Sequence, residues 1–346
     1  MKILFFSRLF YPHIGGVEKH VMEVGRRLAD EGHQVIVVSE DLPEYHVGSL
    51  KKSKDSGEIS GIRYYQIPVG ENSRLKKFQI WAWLWEHKEL ISDADIVHCH
   101  DVFFWYLPFR FLYPFKSVYV TFHGYESYPI KKKAIIVRKI SEILSFGNIC
   151  IGDFIHKWYG TNPTFVSYGG VDIPKTPINT KVKRESAIFF GRFDDQTGIL
   201  DYVDAVEIVK KKYKEFALLI AGDGKYKRQL RKKNVKMIGF QKDPLKLLKL
   251  YNYVFVSRYL SMLEAMAANR LVFAVFDNPV KEDYLKMSPF AKYTVLCSSK
   301  TDIANKLMYY LDHPEEERKK IEAAYRWAEG QKWGNVISTY IKLWKV

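Results

Sequence analysis

Six stretches of this 346-residue chain carry side chains and turns able to meet a phosphate or a sugar. Residues 255–275, FVSRYLSMLEAMAANRLVFAV, read as an apolar strand, a polar turn, a helix and a second apolar strand. Ser261, Met262, Leu263 and Glu264 fit a capping box, the Ser261 hydroxyl covering the N–H of Glu264 while that carboxylate reaches back to the N–H of Ser261. A helix opening off a buried strand also presents unpaired N–H groups and the positive end of its dipole, which suits a phosphate. Glu264 thus has two readings, a cap and a ligand contact. Its neighbours bear on the choice. FFGRFDDQTGI at residues 189–199 is a strand ending in Gly191 and Arg192, with Thr197 further along its loop, and LLIAGDGKYKRQL at residues 218–230 is a strand ending in Gly222. Near the start, KILFFS runs into a loop with Gly15 and Gly16, whose backbone could approach a phosphate with no side chain in the way. ADIVHCHD and SVYVTFHGYE end in His100 and His123.

Strands that each end in a glycine, a charge or an imidazole before a helix describe open parallel sheets, whose ligands collect at the carboxyl edge. Val17, His20, Val21, Val24 and Leu28 recur at helical spacing after Gly16, and Gly32 ends that helix ahead of the strand QVIVVS. Residues 41–60 read as an irregular loop and GIRYYQIP as a short strand. Residues 73–90 read as one helix mixing Arg74, Lys76 and Lys77 with three tryptophans, which either meets lipid headgroups or packs its tryptophans in the core. Residues 131–146 read as a surface helix with Ile136, Ile140, Ile143 and Leu144 on one face and Lys131, Lys132, Lys133, Arg138 and Lys139 on the other.

The length is about twice that of a typical single domain, so two cores are expected. Apolar residues at 47% and charged residues at 27% are ordinary for a globular protein, while 15% aromatic is high enough to serve interfaces or a sugar site. A net charge of +15 asks for an anionic partner. With no zinc-ligand spacing, RNP-type sequence or long basic tail, a diphosphate or an anionic membrane surface is preferred over nucleic acid. Cys99, Cys150 and Cys297 sit far apart in apolar surroundings and read as reduced thiols of a cytoplasmic protein. Arg8 interrupts the apolar start, so a first strand is expected there rather than a signal peptide. FFWYLPFRFLYPF contains Arg110 and two prolines and falls short of the roughly 20 apolar residues a bilayer span needs.

In chain order, GGVEKH, FVSYGGVDIP, GRFDDQTG, IAGDGKYKRQL and LEAMAANRLV resemble, over nearly the whole chain, the retaining nucleotide-sugar glycosyltransferases of family 4, which have the GT-B fold. The resemblance implies an α/β protein of two Rossmann-like domains facing across a cleft. Residues 1–174 would form the acceptor side, with the C-terminal helix 333–346 crossing back onto it, residues 175–184 the linker, and residues 185–332 the donor domain. The implied activity moves a sugar from a UDP- or GDP-sugar to a glycan or lipid-linked acceptor in cell-surface polysaccharide synthesis, with no cofactor and no bound metal. The donor would be held by Gly15, Gly16, Gly191, Arg192, Thr197, Gly222, Ser261, Met262, Leu263 and Glu264. His123 beside the donor sugar, Arg192 on the diphosphate and Glu264 on the ribose hydroxyls would be the catalytic set, and the donor phosphate would take the proton of the attacking hydroxyl. The expected location is the cytoplasm, peripheral on the inner face of the membrane.

The chain departs from the family at two places. Thr197 stands where the family has lysine, which removes one diphosphate cation. Only six residues separate Ser257 from Glu264, so the family's first glutamate and its glycine turn are missing, and with them the usual contact to the donor sugar. Asp194, Asp195 and Arg258 are the charges at hand to replace it. Two further readings stay open, a GT-B protein that binds a nucleotide or sugar without transferring it and a sugar-nucleotide epimerase.

Overall fold

In the computed structural model the described residues are 1–13, 15–41, 56–69, 75–173, 182–233, 235–241 and 245–345. They form two compact units, Met1–Ser167 with Gly334–Val346, and Tyr168–Trp333.

The strands of the first unit are β1 (Lys2–Ser7), β2 (Gln34–Asp41), β3 (Ser56–Ile59), β4 (Ile62–Pro68), β5 (Ile96–His100), β6 (Ser117–Phe122), β7 (Asn148–Ile151) and β8 (Phe165–Ser167). They lie in the order β3-β4-β2-β1-β5-β6-β7-β8, all parallel except the β3–β4 pair. β1, β5 and β6 are almost wholly buried, as parallel strands covered on both faces must be. Between the strands run α1 (Gly16–Asp30), α2 (Lys76–Glu86), α3 (Glu89–Ser92), α4 (Phe103–Leu112), α5 (Lys132–Leu144) and α6 (Phe154–Tyr159). Right-handed crossovers put α2, α4 and α5, which all advance toward β7, on one face of the sheet and α1 on the other.

The second unit has the parallel strands β9 (Lys183–Phe190), β10 (Ala217–Ala221), β11 (Lys236–Met237), β12 (Tyr251–Phe255), β13 (Leu271–Val275) and β14 (Val295–Cys297), in the order β11-β10-β9-β12-β13-β14. Its helices are α7 (Ile199–Val209), α8 (Lys227–Lys232), α9 (Leu245–Leu248), α10 (Tyr259–Ala267), α11 (Pro279–Lys286), α12 (Lys300–Asp312) and α13 (Pro314–Glu329). The last helix, α14 (Trp333–Trp344), places Tyr340 and Trp344 against Phe5 of β1 in the first unit. Each sheet reverses direction once, between β1 and β5 and between β9 and β12, and the carboxyl ends at those points are where a doubly wound fold binds ligands.

Several local expectations change. Residues 56–59 are a strand, paired antiparallel to β4, while 42–55 of the expected loop lie outside the described residues. The helix expected over 73–90 is two helices parted at His87–Lys88, where the His87 ring stacks on Trp83 and its Nδ1 bonds the Trp83 carbonyl; Arg74 lies outside the described residues. The linker expected at 175–184 lies outside them up to residue 181, and Lys183 and Arg184 already belong to β9. The expected division of α5 into an apolar and a basic face does not hold, since Lys131, Lys132 and Lys133 are exposed together with the isoleucines. Arg138 and Ser141 are buried, and Ile136, Ile140 and Ile143 point to solvent. The cause is tertiary, since Arg138 donates to the Gly124 carbonyl and to Glu126 at 2.9 Å and lies over the rings of Tyr159 and Phe122. Among the described residues no helix is long and apolar enough to cross a membrane.

Candidate active site

At the carboxyl edge of the first unit, β5 and β6 deliver His100 and His123 side by side, His100 Nδ1 lying 2.9 Å from His123 Nε2. His100 Nε2 is buried with no hydrogen-bond partner among the described residues. An orphaned acceptor costs less than an orphaned N–H, so His100 carries its hydrogen on Nδ1 and donates to His123 Nε2. His123 then holds its own hydrogen on Nδ1. Asp101 takes φ 61°, an uncommon left-handed turn for a non-glycine residue, and its carboxylate accepts the His123 backbone N–H at 3.1 Å.

Behind this pair runs a directed chain of hydrogen bonds. Trp344 Nε1 donates to His98 Nδ1 at 3.1 Å, which leaves His98 Nε2 to donate to Thr121 Oγ1 at 2.7 Å. Thr121 meets the Tyr340 hydroxyl at 3.0 Å, and that hydroxyl meets His20 Nε2 at 2.9 Å. The His20 ring lies edge-on to His123, 4.9 Å between centroids. Burial, reinforced by the neighbouring imidazoles, holds His98, His100 and His123 well below the usual imidazole range, and burial takes His20 down to about 3. All four are neutral near pH 7. Among the described residues no group of His, Cys, Asp or Glu is placed to hold a metal ion.

Gly15 caps α1 in extended conformation, and a Cβ at Gly16 would meet nothing within 4 Å, so open space borders this loop. A cavity of about 360 Å³ at the same edge is lined by Arg8, Glu40, Lys76, Lys77, Ile80 and Phe104. Buried Glu40 pairs with Lys76 at 2.6 Å and Arg8 at 3.5 Å. The sequence suggested Lys76 and Lys77 only as lipid contacts or a solvated face and gave no sign that they and Glu40 line a cavity. Arg8, a charge directly after the first strand, was the other signal.

The carboxyl edge of the second unit is charged. Arg192, largely exposed, pairs with Asp194 at 3.2 Å, and Arg258 bonds Gln196 from the end of β12. Gly191, Gly222 and Gly224 all have φ near +149°. A Cβ on Gly222 would strike the Gly191 carbonyl and one on Gly224 would lie 2.8 Å from the Phe193 backbone, so these glycines let two loops interlock. Thr197 is buried and its hydroxyl serves its own loop, 2.9 Å from the Arg192 carbonyl and 2.8 Å from that of Asp194.

The capping box is not formed. α10 begins at Tyr259 with Arg258 as its N-cap, which puts Ser261 in the first turn and Glu264 in the buried body of the helix. The Met262 N–H already donates to the Arg258 carbonyl at 2.9 Å, so of Ser261, Met262 and Leu263 only Ser261 keeps a first-turn N–H. The Tyr259 N–H is covered by the Tyr284 hydroxyl at 3.0 Å, with the two rings stacked 3.9 Å apart. Beneath them Lys281, fully buried, donates to the Ser257 carbonyl, and burial together with Arg258 pushes its ammonium well below the usual lysine range.

A glycosyltransferase family 4 model matches residues 14–173, and a glycosyl transferases group 1 model matches residues 173–327. The chain is a glycosyltransferase of the family 4, group 1 type. Among solved structures, HepE of Anabaena, determined with UDP and glucose, is 13% identical with 99% of this chain and 98% of that one covered, at a TM-score of 0.76. A Rickettsia africae glycosyltransferase is 16% identical, covering 99% and 97% of the two chains at 0.70. At such identities the likeness establishes the shared GT-B fold of this glycosyltransferase. Among curated relatives, a Xanthomonas oryzae protein named GDP-mannose:cellobiosyl-diphosphopolyprenol alpha-mannosyltransferase is 23% identical over 236 residues, 64% of this chain and 60% of that one. An uncharacterized glycosyltransferase of Methanocaldococcus jannaschii is 26% identical over 66% and 62%. The glycosyltransferase thus spans about 60% of the length of the curated relatives it matches.

Proposed function

We propose that this glycosyltransferase moves a sugar, with retention of configuration, from a UDP- or GDP-sugar to a glycan or lipid-linked acceptor, on the cytoplasmic side of a membrane. Residues 1–174, with the helix 333–346, serve the acceptor and residues 185–332 hold the donor. The observation that carries this reading is the pair of guanidiniums, Arg192 and Arg258, at the switch point of the second sheet beside the first turn of α10. The names of the Xanthomonas relatives and the UDP and glucose in the Anabaena structure support a nucleotide-sugar donor.

In this reading the exposed Arg192 exchanges its partner Asp194 for the donor diphosphate, and Arg258 supplies the second cation. Both act on charge that grows as the sugar leaves, so no resident metal ion is required. The bond from the anomeric carbon to phosphate breaks with its electron pair moving onto phosphate. The acceptor hydroxyl attacks from the same face and gives its proton to a phosphate oxygen. His123, neutral with its hydrogen on Nδ1, donates to a hydroxyl of the donor sugar. Gly15 and Gly16 keep the loop beside it free of side chains, while Thr197, Gly191 and Gly222 set the loop shape that presents Arg192, and Ser261 offers a first-turn N–H. Glu264 holds the helix in place from its buried position.

Tyr284 covering the first N–H of α10, together with threonine at position 197, favours as second reading a protein that binds a sugar nucleotide without transferring it. Nucleotide release from UDP-glucose and GDP-mannose separates the two. The expected result is release that His123→Ala lowers about a hundredfold while donor affinity stays nearly unchanged. Tight binding with no release, with or without acceptor, would favour the second reading.

A further inference from the structure

α11 buries two polar side chains that the reaction proposed above does not use, Lys281 and Tyr284. Both reach the connection from β12 to α10, which consists of Val256, Ser257 and Arg258 and contains no glycine. Lys281 Nζ donates to the Ser257 carbonyl and lies 4.4 Å from the centre of the Tyr284 ring. The Tyr284 hydroxyl accepts the Tyr259 N–H at 3.0 Å, and the Tyr259 hydroxyl donates back to the Tyr284 carbonyl.

A lysine fills this space at a cost. Removing its amine from water is offset, among the described residues, by one carbonyl and one ring face, and the Asp277 and Asp194 carboxylates favour its charged form only in part. A methionine of similar length would pack there with no amine to desolvate. What the amine does that a thioether cannot is hold the Ser257 carbonyl. The rest of the connection is held as firmly. The Ser257 hydroxyl meets that of Tyr202 at 2.8 Å and accepts the Val275 N–H at 3.1 Å, and the Arg258 carbonyl accepts the Met262 N–H at 2.9 Å. α11 is itself fixed at its start, where the Asn278 side chain accepts the Lys281 N–H at 2.9 Å and Pro279 lies in the first turn. From this clamped backbone Arg258 leaves in extended conformation, and its guanidinium donates to Gln196 in the loop that also carries Arg192 and Asp194.

We propose that Lys281 and Tyr284 are positioning residues, a bracket from α11 that fixes the Ser257–Tyr259 backbone and so aims Arg258 at the loop of Arg192. Because the Tyr284 hydroxyl also occupies the first N–H of α10, the bracket shifts diphosphate recognition from the helix end toward the guanidiniums. That consequence rests on the donor site proposed above, whereas the bracket itself does not.

Two measurements on the full chain test it. The first is amide hydrogen exchange without ligand, read by mass spectrometry. Exchange over residues 257–262 should quicken about tenfold in Lys281→Met and in Tyr284→Phe, with β9 and β10 unchanged. The second is calorimetric titration with UDP and with GDP. For the nucleotide that binds, Arg258→Ala should weaken binding about tenfold and Lys281→Met about fivefold. In the Arg258→Ala background Lys281→Met should change nothing further, because it acts through that residue. Should Lys281→Met misfold, Tyr284→Phe takes its place in the cycle. Exchange that is unchanged over residues 257–262 in both variants overturns the proposal. So do losses that add in the double variant, or exchange that quickens throughout Tyr168–Trp333, either of which would make the two side chains packing residues alone. If neither nucleotide binds the unaltered protein, the donor site falls, and the exchange measurement decides the bracket by itself.

Discussion

The two carboxyl edges of this glycosyltransferase are built from opposite materials. That of the first unit gathers four imidazoles, all neutral, tied by directed hydrogen bonds to Tyr340 and Trp344 of the last helix. That of the second unit exposes guanidiniums, shaped by interlocked glycine loops. Neutral donors fixed in direction suit hydroxyl groups, and cations suit a diphosphate. The two units also differ on their outer surfaces, since exposed large apolar side chains concentrate on the first. A protein that must hold a charged donor and a glycan acceptor would divide its chemistry in this way.

Acid should break the first edge and spare the second. Each buried imidazole has a folded-state pKa below the unfolded value of about 6.5. Below that pH the unfolded chain takes up protons that the folded one refuses. Stability is therefore full above about pH 6.5 and falls, by up to about 1.4 kcal/mol per pH unit for each imidazole, as the pH drops toward the folded values, about 3 for His20. Urea unfolding at pH 7.5 and 5.5 should differ by several kcal/mol. Equal midpoints would mean that the four rings are not held neutral. Arg192→Ala should break the second edge alone, lowering kcat/KM about a hundredfold to a thousandfold through donor binding with the unfolding midpoint unchanged. Unaltered kinetics would remove Arg192 from the diphosphate site.

Tyr340→Phe sharpens the contrast. It removes the hydroxyl that both His20 Nε2 and Thr121 Oγ1 bond and should cost about 1–3 kcal/mol of stability, with nucleotide affinity untouched. Ser261→Ala is the smallest change. Because Ser261 is not the N-cap, it should shift stability by less than about 0.5 kcal/mol, where loss of a cap would cost about 1 kcal/mol.

The sequence made the parallel sheets and their edge loops legible because buried strands, glycines and the helical recurrence of Val17 to Leu28 are local signals. It misplaced what long-range partners decide. Ser261 and Glu264 have capping-box spacing, yet the N-cap of α10 is Arg258, three residues before Ser261, because the Tyr284 hydroxyl, 25 residues on, covers the Tyr259 N–H. The faces of α5 looked settled by hydrophobicity, but Glu126, Gly124 and Tyr159 draw Arg138 inward and turn the isoleucines out. At Gly222, read as a donor-site glycine, the structure adds a packing demand that the sequence did not show, a loop carbonyl to clear. The hydrogen-bonded chain behind His123 joins residues 20, 98, 121, 340 and 344, and only His20, on the apolar stripe of its helix, signalled it.

The most direct test of the account is the thermal shift of the protein with UDP, GDP, ADP and their common sugars, repeated with Arg192→Ala. One nucleoside diphosphate should stabilise the protein selectively, and the variant should lose the effect. Stabilisation by none of them, or a shift that persists undiminished in Arg192→Ala, would contradict a donor site at the edge of the second sheet.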